Sequence, residues 1–316
     1  MIERTDLLNN IRETLIAAGF YVSEPCSMRP MGFDLVARGG DALLIIKVLT
    51  NIDALSEDVA KELQILSNIL KGHALLIGEK SGAGQLQDNV VYFRFGIQTV
   101  TPKTLKNHFL EDMSITVYSA PGGLYVNLDA EKIRLIRKKQ SISLGSFARF
   151  VKVSRRTVRM YEEGMDARYE TTLRMEKFFG ESVITPMNLL HSSHDDEVLE
   201  LFERTIDDLR IFQKNVLTML EDIGYSITPF WKCPFEALSR GKNTLLLTCV
   251  HRFNKTLVKK ARFVNSISKI MDKHAVLFTD KETVKKNVEG VPLIFRKELE
   301  KVSEPEKILD LITERA

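Results

Sequence analysis

The sequence predicts a multidomain protein of mixed class, α/β plus all-α, in which two similar α/β domains flank a helical one. Three observations carry that expectation. Three apolar blocks recur in order: GFYV at 19–22 returns as GYSI at 224–227, FDLVARGGDALLIIKV from Phe33 as FEALSRGKNTLLLTCV from Phe235, and HALLIGEK from His73 as HAVLFTDK from His274. The offset drifts only from 205 to 202 to 201, a period too long for a solenoid unit, so a duplicated domain is expected. Within each copy, helical stripes alternate with continuous apolar runs, the pattern of a layered α/β sheet with parallel pairing. Residues 129–190, between the copies, follow a helical period throughout.

Taken in order, residues 4–18 carry Leu7, Leu8, Ile11, Leu15 and Ala18 on one helical face, ended by Gly19. Short β-rich runs follow at Phe20–Val22, Phe33–Ala37 and Ala42–Leu49. A helix is expected over 54–71, with Leu55, Val59, Leu63, Leu66 and Leu70 aligned, and then buried strands at His73–Ile77 and Val90–Phe93. Residues 115–128 alternate around Pro121-Gly122-Gly123, which signals a hairpin. The acidic run Asp195–Asp222 reads as one long helix whose Val198, Leu201, Phe202, Leu209, Phe212 and Val216 would pack on their own domain or on a second copy. The expected domains are therefore 1–112, a hairpin or linker at 113–128, a helical domain at 129–192, and a linker helix with the second α/β copy at 195–316.

Length and composition suit a folded protein of two or three domains: 316 residues, 44% hydrophobic and 28% charged. The net charge of +3 is small, but its distribution is not even. From Lys132 to Tyr161 there are ten bases and no acid, so the rest of the chain carries a net −7. A focused positive patch on an acidic protein attracts phosphate. Cys26, Cys233 and Cys249 show neither paired nor metal-ligand spacing, as expected of a reduced compartment. The N-terminus has no apolar signal region, and the longest apolar run, Ala42–Leu49, is too short to span a bilayer. A cytoplasmic protein with no membrane partner is expected.

In the helical domain, Asp129, Ser143 and Ser154 each stand where a helix N-cap is needed. Phe147, Ala148 and Val151 would face inward from one helix, and Val158 and Tyr161 from the next, which Gly164 ends. Leu173 and Phe178 would add a fourth helix's contribution, and Met187, Leu189 and Leu190 a final short turn. This order resembles the helix-turn-helix of the Cro/cI-type repressor family over residues 130–190, and the whole arrangement resembles an archaeal family of helix-turn-helix regulators. Ala148 falls at that family's small position and Val153 at its apolar position after the turn. Lys152 stands where the family favours glycine, so a left-handed residue there costs about 1 kcal/mol. The resemblance implies a five-helix domain whose recognition helix, about 154–163, enters the major groove. Ser154, Arg155, Arg156, Thr157, Arg159 and Met160 would then meet base edges, while Arg137, Lys138, Lys139, Arg149 and Lys152 hold phosphates.

The flanking copies resemble the restriction-endonuclease and archaeal Holliday-junction-resolvase fold. That resemblance implies an aspartate at one strand's start and an acid-x-Lys on the next, holding Mg²⁺ and activating water. Asp34 and Lys47 fit two of these positions, but Ile45 replaces the second acid; in the second copy the matching residues are Glu236, Leu247 and Cys249. Both copies are therefore expected to be non-catalytic scaffolds, with no cofactor and no metal. His191 and His194, in a polar stretch, read as a solvated linker, and His73 and His274 as structural histidines. Gly82-Ala83-Gly84 lacks the Lys-Ser/Thr of a phosphate loop and reads as a turn. The expected function is a sequence-specific, dimeric transcriptional regulator on double-stranded DNA, not an enzyme, with any small-molecule effector left open. The alternative is a Mg²⁺-dependent nucleic-acid-processing enzyme targeted by the helix-turn-helix.

Overall fold

A computed structural model of the chain describes residues 4–26, 28, 31–190 and 205–316. His191, His194, Val198, Leu201 and Phe202 lie outside the described residues. The first elements are α1 (Arg4–Ala17), β1 (Tyr21–Val22), β2 (Leu35–Gly39), β3 (Ala42–Asn51) and α2 (Glu57–Leu70). They are followed by β4 (His73–Ser81), β5 (Gly84–Gln85), β6 (Val90–Arg94), β7 (Ile97–Val100) and α3 (Pro102–Leu110). The middle of the chain forms β8 (Val117–Ala120), β9 (Gly123–Val126), α4 (Ala130–Lys139), α5 (Leu144–Val151), α6 (Arg155–Glu162), β10 (Ala167–Arg168) and α7 (Tyr169–Phe179). The C-terminal part carries α8 (Ile211–Ile223), β11 (Ser226–Pro229), β12 (Ala237–Arg240), β13 (Leu245–Val250), α9 (Lys255–Met271), β14 (His274–Thr279), β15 (Asn287–Val288), β16 (Val291–Phe295), α10 (Arg296–Leu299) and α11 (Pro305–Arg315).

These elements fall into two compact units. One takes the described residues of 1–48, 55–74 and 192–316; the other takes 49–54 and the described residues of 75–191. In the first unit, β1, β2 and β3 pair antiparallel, with Leu35 opposite Ile46. The C-terminal sheet runs β11-β12-β13-β14-β16-β15, antiparallel over its first three strands, parallel at β13–β14 and β14–β16, and antiparallel again at β15–β16. Its core is continuous apolar packing: Val216, Leu217 and Leu220 of α8 meet Leu246, Val276, Phe278 and Ile294 of the strands. In the second unit, β4 pairs β7 in parallel and β7 pairs β6 antiparallel, as β14, β16 and β15 do in the C-terminal sheet. That sheet then continues β8-β9-β10, with β8 parallel to β6 and the β8–β9 hairpin antiparallel around Pro121 and Gly122.

Inside the first unit the N- and C-terminal segments are stitched together reciprocally. Glu62 of α2 accepts the backbone N–H of Trp231 and of Lys232, the latter at 2.8 Å. In the other direction, Arg38 of β2 donates to the carbonyls of Ile270 and Met271 at the end of α9, at 2.6 and 3.1 Å, and Phe33 packs on Phe263 of α9. Each half thus presents its long helix to the second strand of the other half's sheet or to the loop leading into it.

Four expectations are corrected. The run to Asp222 is not one helix: a short 3₁₀ turn at Ile206–Asp208 is followed by extended backbone at Leu209 and Arg210 before α8 begins. Leu209 and Phe212 pack on their own core. Between α7 and residue 190 no fifth helix forms; Ile184 and Met187 instead make antiparallel bridges to Leu128 and Ile115. Pro186 between them has no N–H to give a helix. Leu173 is 46% exposed, because the inward phase of α7 runs Thr171, Thr172, Met175, Phe179. Phe93 is also exposed, since β6 buries only Val90 and Val91.

The turn after α5 behaves as its sequence predicts. Lys152 sits at φ 60°, ψ 46°, the left-handed conformation, and donates its N–H to the Ala148 carbonyl. Lys152→Gly should therefore raise stability by about 1 kcal/mol, seen as a higher urea midpoint with an unchanged slope. A lowered midpoint would show that the turn carries no strain.

Candidate nucleic-acid interface

The helical stretch is built on local caps. Asp129, Ser143 and Ser154 each accept, through the side chain, the N–H three residues on, which starts α4, α5 and α6. The inward faces then meet: Ile133 and Ile136 of α4, Phe147, Ala148 and Val151 of α5, Val158 and Tyr161 of α6, and Met175 and Phe179 of α7 form one buried cluster. Aromatic rings at its centre, Phe147 on Phe179 at 4.7 Å and on Phe178 at 5.5 Å, fix α5 against α7.

Packing these faces inward leaves the bases outside. Of the ten between Lys132 and Tyr161, Lys132 pairs with Glu181 at 3.3 Å. Arg137 is held by Glu162, Nε to Oε1 at 2.5 Å and NH2 to Oε2 at 3.0 Å, and also donates to the Ile142 carbonyl. Its side chain is only 13% exposed, and the hydrogen bonds to Glu162 raise its affinity for the proton against the opposing cost of burial. Arg137 is therefore a clamp between α4 and α6, engaged by Glu162 where a phosphate contact was expected. The other eight, Arg134, Lys138, Lys139, Arg149, Lys152, Arg155, Arg156 and Arg159, are exposed and enter no ion pair among the described residues. Glu162, the residue that neutralises Arg137, lies one position past the base-rich window, 25 residues from its partner; spacing alone offers no signal for that pairing.

On α6, Ser154 has its hydroxyl engaged, accepting the Thr157 N–H at 3.0 Å and sharing a hydrogen bond with Thr157 Oγ1. Arg155, Arg156, Arg159 and Met160 are exposed, and Thr157 is half-buried. Arg155 lies across the first turn of α5: a Cβ on Gly145 would stand 2.9 Å from its Nε. Glycine at 145 is what lets the guanidinium lie there.

The Asp34 position is fully occupied. Asp34, 1% exposed, takes Arg4 on Oδ1, and on Oδ2 the Val48 N–H at 2.8 Å and the Lys47 ammonium at 3.5 Å; Lys47 also donates to the Met31 carbonyl at 2.5 Å. Ile45 is buried. With one carboxylate, already holding two cations, these residues do not fit a divalent metal ion, and among the described residues no group of three or more His, Cys, Asp or Glu is placed to hold one. At the matching position in the C-terminal sheet, Glu236 takes the Val250 N–H at 2.7 Å and Lys260 of α9. Lys260 is a partner that strand-by-strand comparison misses, because it comes from the helix.

The remaining candidates are structural in placement. Burial pushes the Cys26 thiol up to about 11 and Cys249 up to about 12, and raises Cys233 as well, so none is poised as a thiolate. Gly82 donates its N–H to Asp53 at 2.6 Å in the β4–β5 turn, facing a carboxylate rather than a phosphate. His73 and His274 open β4 and β14.

The fold, with its large sheets and the Asp34–Lys47 pair, defines a mixed α/β protein with a PD-(D/E)XK-like domain: residues 4–115 match the model of the PD-(D/E)XK superfamily domain. This overturns the expectation that the chain is no enzyme, since that domain is a nuclease-like fold and points to enzymatic activity. Over its whole length the chain is similar to archaeal proteins named as candidate HTH-type transcriptional regulatory proteins. One from Methanosarcina acetivorans is 37% identical, covering 98% of this chain and 96% of its own. One from Methanosarcina barkeri is 38% identical over 98% and 96%, and one from Natronomonas pharaonis 36% identical over 100% and 99%. The chain belongs to the family of these archaeal proteins. No solved structure matches it. No helix among the described residues is long and apolar enough to cross a membrane.

The clamp makes a stability prediction. Arg137→Ala or Glu162→Gln should each cost about 1.5–3 kcal/mol, the range for hydrogen bonds to charged groups, while Lys138→Ala should change stability by less than about 0.5 kcal/mol. Equal urea midpoints for all three variants would remove the clamp.

Proposed function

We propose that the chain is a DNA-binding transcriptional regulator in which α5 and α6 form a Cro/cI-type helix-turn-helix. In this reading α6 enters the major groove of double-stranded DNA. The observation that carries it is the set of three exposed arginines on α6, Arg155, Arg156 and Arg159, without an acidic partner among the described residues. Arginine reads guanine through O6 and N7, and Ser154, Thr157 and Met160 complete the base-facing surface. Lys138, Lys139, Arg149 and Lys152 contact phosphates and set the register. The names of the archaeal relatives support the regulatory role. The domain division that goes with it is 1–112 and 195–316 as duplicated α/β copies, with 113–128 leading into the reader at 129–192. Two half-sites one helical turn apart would be filled by a homodimer.

A second reading is favoured by the PD-(D/E)XK match together with the Asp34–Lys47 contact at 3.5 Å: the same reader targets a nucleic-acid-processing activity carried by the N-terminal domain.

Each reading has its own outcome. Arg155→Ala and Arg156→Ala should each cost about 1–3 kcal/mol on a selected operator and relax its sequence. Lys138→Ala should weaken all duplexes alike and flatten the salt dependence by about one unit of slope. Identical, sequence-independent losses in a quantitative binding assay would sink the base-readout assignment. For the second reading, cleavage of duplex or branched DNA by the wild type should disappear in Asp34→Ala and in Lys47→Ala; cleavage that survives both places the activity elsewhere.

A further inference from the structure

The Glu236 position of the C-terminal sheet has been closed to a metal ion and opened to something else. Oε2 of Glu236 accepts the Val250 N–H, and Oε1 accepts from both Lys260 and Gln213, the latter at 3.2 Å. Gln213 also donates to the Val250 carbonyl at 3.4 Å, so α8 is laid across the carboxylate as a cover. The charge of Glu236 is thereby spent inside the fold. Gln213 and Val250 also line a cavity of about 480 Å³.

The lining of that cavity is cationic and partly apolar. Arg210, Arg252 and Asn254 are joined by His251, Gln213 and Thr256 as its polar lining, Ile211, Phe212 and Val250 form its apolar wall, and no carboxylate lines it. Arg210 enters no ion pair among the described residues. Arg252 faces Asp280 at 3.7 Å, but its side chain is 78% exposed, so the contact is long and screened by water. His251 donates Nδ1–H to the Arg252 carbonyl at 2.7 Å, which holds the segment leading into α9 in place. The first turn of that 17-residue helix adds the positive end of its dipole. Two guanidinium groups beside an amide form a donor set matched to phosphate oxygens. Ile211, 80% exposed, gives a ring or base a surface to lie on. The volume falls in the range of small-molecule sites, about 300–1,000 Å³.

We infer that this cavity binds a phosphate-bearing small molecule of about nucleotide size. The inference is independent of the reading of α6. A phosphate could reach the cavity from a free nucleotide or from a nucleic-acid backbone, and the test separates the two. Full-length protein is titrated calorimetrically with inorganic phosphate, pyrophosphate, ATP and a short single-stranded oligonucleotide. The proteins compared are the wild type, the double variant Arg210→Ala/Arg252→Ala and the double variant Arg155→Ala/Arg156→Ala, with circular dichroism confirming that each is folded. Pyrophosphate or ATP should bind the wild type with Kd below about 1 mM, at least tenfold more weakly after Arg210→Ala/Arg252→Ala, and unchanged after Arg155→Ala/Arg156→Ala. Failure of pyrophosphate and ATP to bind at that level, or equal binding by the Arg210/Arg252 variant, overturns the proposal. Oligonucleotide binding that depends on Arg210 and Arg252 while ATP and pyrophosphate do not bind also overturns it, and assigns the cavity to a nucleic-acid backbone.

Discussion

A carboxylate taken out of water must find a cation and hydrogen-bond donors inside the protein, and three such groups set the framework of this one. Asp34, Glu62 and Glu236 are all buried. Each accepts backbone N–H groups: Val48 for Asp34, Trp231 and Lys232 for Glu62, Val250 for Glu236. Asp34 and Glu236 add cations from different elements, Arg4 and Lys47 in one case and Lys260 in the other. Because these bonds run between helices, strands and loops, they tie α1, α2 and α9 to the segments around Asp34, Trp231 and Glu236. Removing one partner would strand a charge in a dry interior, which costs far more than the pair gains.

The same rule, applied in the opposite sense, explains the surface of the helical stretch. Arg137 is satisfied by Glu162 and ties α4 to α6. Eight neighbouring bases are left in water without a counter-charge among the described residues, and mutual repulsion makes such a concentration unfavourable for a small helical body. A polyanion relieves that repulsion on binding, by releasing its own counterions. The packing that makes α4–α7 stable is therefore separate from the exposed basic surface: Phe147, Val151, Val158, Tyr161, Met175 and Phe179 form the first, and the arginines of α6 belong to the second.

The two halves of the molecule show how one strand arrangement can carry different chemistry. Both place an acid at the start of the second strand and bond it to the N–H of a valine on the third. In the N-terminal half a lysine two residues beyond Ile45 faces that acid at 3.5 Å. In the C-terminal half Cys249 stands at that strand position, and the balancing charge comes from the helix instead, through Lys260. Burial opposes the charge on Lys260: desolvation pulls its proton affinity down, and the Glu236 charge, the neighbouring Cys249 and the hydrogen bond to Glu236 together more than restore it.

Much of the architecture was legible before any coordinates. Helix starts at Asp129, Ser143 and Ser154 and the inward residues of α5 and α6 depend on spacings of three and four residues, which a sequence displays directly, while the left-handed turn at Lys152 was implied by the family resemblance alone. The recurring blocks from Phe33 and Phe235 likewise determined which runs become matching strands. Tertiary structure alone decided the break before α8, the extended bridges that replace a fifth helix, the outward face of Leu173, and the pairing of Arg137 with Glu162 and of Glu236 with Lys260. Each of these turns on which groups meet across space. Partners 24 or 25 residues apart share no period or cap, and only the packed fold brings their charges within reach.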